Sequence, residues 1–317
     1  MQRKLKSTFL NMIYNVLWSD KRFGGAEIYV RKMQSEFAIP FITLKDKSVW
    51  QLICFFFTLL TPANQYIFHD TRASLFSAFR FFYRKDICVL HGPGKHAKFI
   101  FLLHKLFNSY CYRVILVNSD IFSAQASKAF HIIENESALD THSNPTSKDV
   151  IYFGRLEKSK GVDVLCQYWQ NYAHLASLHI VGDGRLLEVL KEQYSNIQFY
   201  GALNHQQLNK VINNVAFYIS CSNREGKSLA LMEAMSTGLI PIVCDIQSQH
   251  FLYQDLDLPL LQEDLSNFDS VMSTWLNQND EPKKITMQKI KDYSKTHFQG
   301  NWVDQWRAVL HPTGHPY

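Results

Sequence analysis

The sequence has few charged side chains, no cysteine pairs and no long apolar run, and each shortage excludes a class of protein. Charged residues make up 19% and hydrophobic residues 46% of the 317 positions, a composition unlike that of a disordered chain. The six cysteines form no C-x-x-C pair, and five lie in apolar runs, which predicts reduced, buried thiols. The longest apolar run, 49–60, falls far short of the roughly 20 residues of a membrane-spanning helix. The basic start of the chain is not followed by a secretory signal pattern, so we expect a protein that neither enters the secretory route nor crosses a membrane.

Two chemical signatures are also incomplete. Gly182-Asp183-Gly184 follows an apolar run without the third glycine of a dinucleotide-binding G-x-G-x-x-G motif, and a strand-to-helix turn explains it equally well. Asp255-Leu256-Asp257 has the spacing of a metal-binding D-x-D pair, but no predicted strand delivers it to a cleft. We interpret this segment as a surface turn.

The charge that is present is unevenly distributed. Residues 1–148 carry 19 Lys and Arg against 10 Asp and Glu, a net charge of +9, whereas residues 149–317 carry 14 against 18, a net charge of −4. Seventeen of the 23 phenylalanines also lie in the first half. A basic, aromatic half is typical of a domain that meets an anionic surface or substrate. A Phe-packed core beneath a solvated basic surface has the same composition.

Strand-like runs alternate with helical patterns along the whole chain. The first half has predicted strands at 9–17, 40–44, 66–69, 87–91 and 113–118, with helices at 26–37, 72–83 and 95–107. The second half has predicted strands at 150–153, 178–181, 197–200, 216–220 and 240–244. This alternation predicts parallel sheets with helices on both faces. The length fits two domains, and the polar, turn-rich segment 137–149 predicts the linker.

Glycine and basic motifs follow predicted strands, where doubly wound folds bind their ligands. Gly24 and Gly25 open the first helix, and such a pair lets backbone amides approach an anion, although a plain tight turn has the same pattern. Arg155 and Lys160 lie five residues apart on the loop after the strand at 150–153. An arginine with a lysine suits a diphosphate, and an exposed basic loop is the alternative.

The richest motif lies between residues 222 and 238. Ser228 is the predicted N-cap of a helix over 229–236, which Gly238 ends. Glu225 precedes this helix and Glu233 lies on its second turn, while the backbone amides of 226–229 point away from the helix start. Acidic residues also occur at such positions simply because they complement the helix dipole.

Together the motifs resemble glycosyltransferase family 4, whose members are retaining enzymes of the GT-B fold. In the family's order they are G-G-A-E, G-R-x4-K, G-D-G and E-x7-E before an A-M-x-x-G helix. The resemblance implies an α/β architecture of two Rossmann-like, doubly wound domains that face a central cleft. An acceptor-side domain would span 1–140 and a nucleotide-sugar domain 149–299, and a C-terminal helix within 300–317 would cross back to the first domain.

The resemblance also implies a role for individual residues. Arg155 and Lys160 would neutralise the departing diphosphate, Glu225 would hold the transferred sugar, and Glu233 would bond the ribose. A metal cofactor is not expected, because two cations and a helix start supply the charge stabilisation. The implied site consists of His91, Glu225, Arg155 and Lys160 for catalysis, Gly24, Gly25, Gly226, Lys227, Ser228, Leu229 and Glu233 for donor binding, and His69 and Asp70 on the acceptor side.

The implied activity is transfer of a hexosyl or N-acetylhexosaminyl group from a UDP- or GDP-linked sugar to a saccharide or lipid-linked glycan. The implied setting is bacterial surface polysaccharide or lipopolysaccharide synthesis in the cytoplasm, with the basic first domain near the anionic inner face of the cell membrane and no nucleic-acid partner. Two alternatives remain, a non-catalytic nucleotide-binding subunit of the same fold and a nucleotide-sugar epimerase. The sequence departs from the family at Cys221, where many members have proline, and in its short first domain.

Overall fold

The computed structural model describes residues 12–18, 25–45, 47–74, 76–77, 80, 86–91, 113–116, 131–133, 139, 141–223, 225, 228–298 and 301–310. The chain divides into two compact units, one formed by residues 1–134 with 303–317 and the other by residues 135–302. The last helix, Trp302–Leu310, therefore begins in the second unit and continues in the first.

The first unit is built on a parallel sheet. Its described strands are β1 (Ile13–Leu17), β2 (Phe41–Thr43), β3 (Gln65–His69), β4 (Ile87–Leu90), β5 (Arg113–Leu116) and β6 (His131–Ile132). They are ordered β2-β1-β3-β4-β5-β6 and pair in parallel. Helices α1 (Gly25–Phe37) and α2 (Val49–Leu59) connect the first three strands, and α3 (Asp70–Ala73) follows β3 directly. The strand order reverses between β1 and β3, which makes their carboxyl ends a topological switch point.

Helix α2 occupies the apolar run to which the sequence analysis assigned no element. Its start is fixed by a capping box: Ser48 Oγ accepts a hydrogen bond from Gln51 N at 3.3 Å, and Ser48 N donates to Gln51 Oε1 at 2.9 Å. Phe55 and Leu59 are buried in the first unit's core. The predicted helix at 95–107 and most of the predicted helix at 72–83 lie outside the described residues.

The second unit has a parallel sheet in the order β11-β10-β7-β8-β9. Its strands are β7 (Val150–Phe153), β8 (Leu178–Val181), β9 (Gln198–Gly201), β10 (Phe217–Ser220) and β11 (Ile240–Val243). Its helices are α4 (Val162–Trp169), α5 (Leu187–Gln193), α6 (His205–Ile212), α7 (Leu229–Ser236), α8 (Phe251–Gln254), α9 (Phe268–Leu276) and α10 (Asp280–His297). Four of the strands are buried along their whole length, as expected for parallel strands covered on both faces. Pro241 is tolerated in β11 because this strand lies at the sheet edge.

Aromatic packing ties the last helix, α11 (Trp302–Leu310), into place. Trp302 and Trp306 are both buried, so both are packing residues. Trp306 Nε1 donates a hydrogen bond to Tyr29 Oη at 2.6 Å, so α11 is joined to α1 within the first unit. Within the described parts of the chain, no helix is both long and apolar enough to span a membrane.

Candidate active site

The carboxyl ends of β7 and β10 form the switch point of the second unit, because the strand order reverses between these neighbours. The loops that follow them meet backbone to backbone. Gly161 has a φ of 64°, and a Cβ at this position would collide with the carbonyl oxygen of Cys221. Ser222 Oγ also donates to Ser159 O at 3.3 Å. The R-x4-K and E-x7-E motifs are therefore brought together by close loop packing at the edge where doubly wound folds bind ligands.

Lys160 and Glu225 form the central ion pair of this region. Lys160 ends a 3₁₀ turn over Lys158–Lys160, and its Nζ lies 2.6 Å from both Oε1 and Oε2 of Glu225. The side chains are 20% and 11% exposed. Ser248 Oγ donates to the Glu225 carbonyl at 3.2 Å, which secures the loop from the other side. The pair sets a positive and a negative group side by side in a partly buried position.

Arg155 lies on the same loop, two residues after the end of β7. Its side chain is 35% exposed, and its Nη1 is 3.7 Å from Glu157 Oε2. The loop is closely packed on the turn after β8, since a Cβ at Gly182, where φ is 142°, would collide with the carbonyl oxygen of Gly154. The G-D-G motif thus serves here as a tight strand-to-helix turn. It holds the backbone that carries Arg155.

Helix α7 begins as the sequence predicted. Ser228 is its N-cap and accepts a hydrogen bond from Leu231 N at 3.4 Å. Leu229 is the first helical residue, and Gly238, with a φ of 84°, follows the last turn. Gly226 and Lys227 lie outside the described residues.

Glu233 lies on α7 and is only 6% exposed. Because burial disfavours the charged form, the pKa of Glu233 is raised from 4.5 to about 7. Its Oε1 is 3.8 Å from Nε2 of His205, the first residue of α6. This carboxyl group therefore titrates near neutral pH beside an exposed histidine.

The sequence motifs assign no role to three further residues of this region: Tyr152, Tyr218 and His205. Burial raises the pKa of the Tyr152 and Tyr218 phenols, and the Glu225 carboxylate raises both further. Tyr152 Oη donates to the Arg155 carbonyl at 2.8 Å. His205 is the third, and it could be found only from tertiary structure because it lies 28 positions before Glu233 in the sequence.

The first unit holds a separate polar cluster at its own switch point. His69 ends β3 and His91 follows β4. His69 Nδ1 lies 3.1 Å from His91 Nε2, and His69 Nε2 lies 2.9 Å from Oδ1 of Asn15 in β1. Asp70 begins α3 and Gly25 begins α1, whereas Gly24 lies outside the described residues. The structure thus brings His69 and His91 together and adds Asn15, which the sequence analysis did not single out.

Asp255 and Asp257 lie on an exposed turn after α8. Asp255 Oδ2 accepts a hydrogen bond from Tyr293 Oη at 2.8 Å, and Asp257 has a φ of 56°. The two residues belong to neither cluster. In the described residues, no three His, Cys, Asp or Glu side chains are grouped so that they could hold a metal ion.

Residues 147–264 match a family model described as Glycosyl transferases group 1. This range includes Arg155, Lys160, Glu225 and Glu233. The chain is also 24% identical over 215 residues to the GDP-mannose:cellobiosyl-diphosphopolyprenol alpha-mannosyltransferase of Xanthomonas campestris. That match covers 61% of this chain and 57% of the relative, so the chain spans less than two thirds of the relative's length.

Solved structures agree with the fold. WaaG, a glycosyltransferase involved in lipopolysaccharide biosynthesis, matches with a TM-score of 0.69 and 13% identity over 96% of this chain and 100% of that chain. Anabaena HepE in complex with UDP-glucose matches with a TM-score of 0.68 and 14% identity over 95% and 98% of the two chains. Such identities show the fold alone. They confirm the predicted α/β fold of two Rossmann-like domains, and the match of residues 147–264 to the group 1 model supports the resemblance to a glycosyltransferase family.

Proposed function

We propose that this protein is a retaining glycosyltransferase. In this proposal it moves a hexosyl or N-acetylhexosaminyl group from a UDP- or GDP-linked sugar to a saccharide or lipid-linked glycan during bacterial surface polysaccharide synthesis. The named relatives support this class of reaction: one is an alpha-mannosyltransferase whose name gives GDP-mannose and a diphosphopolyprenol-linked glycan, and HepE was crystallised with UDP-glucose.

The observation that carries the proposal is the Lys160–Glu225 ion pair at the switch point of the second sheet, with Arg155 on the same loop as Lys160. Sugar transfer passes through an oxocarbenium-like state while negative charge builds on the leaving phosphate. A third of the Arg155 side chain is exposed, so its guanidinium is accessible to phosphate oxygens and suited to bind them in pairs. Lys160 Nζ has three N–H donors, so it can keep Glu225 as a partner and still donate to phosphate.

Glu225 and Glu233 have separate proposed roles that follow from their different surroundings. Glu225 is ion-paired with Lys160 at 2.6 Å, and its oxygens are the proposed acceptors for hydroxyl groups of the transferred sugar. Glu233 is buried and its pKa lies at about 7, so near neutral pH it both accepts and donates hydrogen bonds. Such a group suits the ribose hydroxyls of the donor nucleotide. The amides that open α7 near Ser228 and Leu229 add positive potential for the diphosphate.

The first unit would supply the acceptor side. In this proposal His91 steadies the transferred sugar and Asp70 lines the acceptor path. His69, which the resemblance also places on the acceptor side, is fully buried and contacts His91 and Asn15. The pair of glycines at 24 and 25 would give backbone donors to the diphosphate at the start of α1.

The reaction is proposed to be metal-independent, because Arg155, Lys160 and the helix start provide the stabilisation that a metal gives in other enzymes. Assay in EDTA tests this point: transfer should continue at its full rate. Loss of transfer in EDTA with recovery on adding Mg²⁺ or Mn²⁺ would contradict it.

Two experiments separate this function from the alternatives. A panel of UDP- and GDP-linked sugars should raise the thermal unfolding temperature, since a ligand at 100 times its dissociation constant adds about 2.7 kcal/mol of stability. Incubation of the stabilising donor with glycan acceptors should then give a new glycoside. A non-catalytic subunit would be stabilised and form no product, and an epimerase would convert the donor sugar without transferring it.

We also propose that the first unit lies on an anionic membrane surface through α2. Val49, Trp50 and Phe57 of this helix are 76%, 71% and 64% exposed, and the helix carries no charged residue. An exposed apolar patch of this kind marks a surface that binds a partner or a membrane. Lys45 and Lys47 precede α2 and the first half of the chain carries +9, so an anionic bilayer is the partner with complementary charge.

A further inference from the structure

Three polar side chains from neighbouring strands form a buried hydrogen-bonded chain in the first unit. Asn15 lies in β1, His69 ends β3 and His91 follows β4, and these strands are adjacent in the sheet. Asn15 and His69 are fully buried. Because each contact is short, the position of every proton in the chain depends on its neighbour.

The orientation of the Asn15 amide determines which ring nitrogen of His69 carries a hydrogen. Asn15 Nδ2 donates to the Ile39 carbonyl at 3.4 Å, so Oδ1 is the atom that lies 2.9 Å from His69 Nε2. The opposite orientation would set two oxygen acceptors against each other at Ile39. A carbonyl oxygen only accepts, and His69 Nε2 must therefore carry a hydrogen.

The tautomer of His69 in turn determines which ring nitrogen of His91 carries a hydrogen. Burial, with a smaller contribution from His91, lowers the pKa of His69 well below 6.5, and burial lowers the pKa of His91 to about 3. Each ring is neutral and holds one hydrogen. With its hydrogen on Nε2, His69 offers a lone pair at Nδ1, and His91 Nε2 donates to it across 3.1 Å.

The His91 tautomer determines the state of Nδ1, on the far side of the ring. Its Nδ1 carries no hydrogen, and it is buried without a hydrogen-bond partner among the residues that the structure describes. Tyr29 packs edge-on against the ring with centroids 5.0 Å apart, and the Tyr29 hydroxyl is held by Trp306 Nε1. The ring is thus held in place with a lone pair on Nδ1.

We propose that Asn15 and His69 are positioning residues that hold His91 in the tautomer with a bare Nδ1, so that His91 accepts a hydrogen bond from a hydroxyl group and repels phosphate. This inference rests on the proposed function, in which the hydroxyl belongs to the transferred sugar. A lone pair cannot bond an anionic oxygen, so the chain of contacts selects the neutral part of a nucleotide-sugar donor.

Nitrogen-15 NMR of the full-length, histidine-labelled protein tests the tautomer without any sugar transfer. The His91 signals are identified by their loss in His91→Gln. In the wild type they should show a hydrogen on Nε2 and a bare Nδ1. In Asn15→Asp the new carboxylate favours a doubly protonated His69, whose Nδ1 hydrogen points at His91 Nε2, so the His91 hydrogen should move to Nδ1.

Two substitutions at His69 separate positioning from folding. In His69→Gln the amide can still donate to Asn15 and accept from His91 Nε2, so the His91 hydrogen should stay on Nε2 in the NMR spectrum. In Asn15→Asp and His69→Leu, kcat/KM should fall roughly 10- to 100-fold, the size expected when one buried hydrogen bond is replaced by a mismatch. Asn64→Asp, the same chemical change elsewhere in the unit, is the control and should leave the His91 signals unchanged.

A wild-type His91 with its hydrogen on Nδ1 would overturn the inference, as would a His91 hydrogen that stays on Nε2 in folded Asn15→Asp whose His69 is doubly protonated in the same spectrum. If the NMR result is as expected while no donor is turned over, the hydrogen-bonded chain stands and the proposed function fails.

Discussion

Lys160 and Glu225 are 65 residues apart in the chain, yet Lys160 Nζ lies 2.6 Å from both oxygens of the Glu225 carboxylate. The contact exists because β7 and β10 are neighbours in the sheet and because Gly161 lets the following loops touch. It joins the cation proposed to bind the leaving diphosphate to the carboxylate proposed to hold the sugar. A change at either residue should therefore affect the chemical step.

Arg155→Ala should lower turnover by on the order of 100-fold or more, the usual effect of removing one group that stabilises developing charge. Its side chain is one third exposed, and the ion-pair contact it makes within the described part of the chain is a long one with Glu157, so the fold should persist. Steady-state kinetics with the preferred donor measure the effect. Arg185→Ala removes an exposed arginine of the same unit and is the matched control. Equal rates for the Arg155 variant and this control would remove Arg155 from the site.

Glu225→Gln should impair transfer severely while the protein stays folded. The amide keeps the shape of the side chain, but it loses the charge that orients Lys160 and one of the two acceptor oxygens. Single-turnover rates measure the chemical step, and circular dichroism checks the fold. Glu263→Gln changes an exposed glutamate of the same unit and should be neutral. Near-wild-type single-turnover rates in Glu225→Gln would exclude a role for this carboxylate.

Glu233 should make stability fall as the pH rises through the weakly acidic range. Its folded-state pKa of about 7 is raised above the reference value of 4.5, so the folded protein holds this proton more tightly than the unfolded chain. Its stabilising contribution is complete below about pH 4.5 and is lost as the pH rises to about 7. The loss is on the order of 3 kcal/mol.

Urea unfolding of wild type and Glu233→Gln between pH 4.5 and 8 measures this linkage, because the difference between the two curves cancels the titration of other groups. The variant should gain on the wild type as the pH rises. Parallel curves would show that Glu233 has an ordinary pKa.

Association with anionic liposomes should depend on both salt and α2. The Lys and Arg contribution is screened by salt within a Debye length, whereas burial of Trp50 and Phe57 is not. Trp50→Ala with Phe57→Ala should therefore reduce binding by at least about tenfold even in high salt, since burial of one large apolar side chain is worth roughly 1.5–3 kcal/mol. Flotation measures the bound fraction.

Tyr253→Ala, which removes an aromatic residue 64% exposed in the second unit, is the control. The membrane proposal would be contradicted if the protein did not bind the liposomes, or if neither salt nor the α2 substitutions changed the bound fraction.

The local parts of the site could be predicted from sequence because their signals are local. Ser228 and Gly238 delimit α7, and the helix runs from Leu229 to Ser236 as predicted. The strand ends were predicted to within a residue or two in the second unit. One shift is at β9, which runs from Gln198 to Gly201 and pairs with β8 through an irregular register.

Helix α2 shows where periodicity gives no answer. Its run of apolar residues has no polar face to mark a period, so neither helix nor strand was assigned. The capping box of Ser48 and Gln51 is the sequence signal that identifies it.

Contacts between distant strands could not be predicted, because they depend on strand order. The sequence placed Arg155, Lys160 and Glu225 after strands but gave no reason to set β7 beside β10. The contact between Asn15 and His69, 54 residues apart, depends in the same way on the pairing of β1 with β3. An asparagine inside a strand carries no signal until its partner is known.

The stereochemistry of the product tests the account most directly. In the proposed chemistry Glu225 holds the transferred sugar. Arg155 and Lys160 bind the leaving phosphate, which accepts the proton of the acceptor hydroxyl. The acceptor then attacks on the face from which the diphosphate departs. The anomeric coupling in a proton NMR spectrum of the product reads the outcome. An α-linked nucleotide sugar should give an α-linked glycoside, and a β-linked glycoside would contradict the proposed chemistry even if the fold stands.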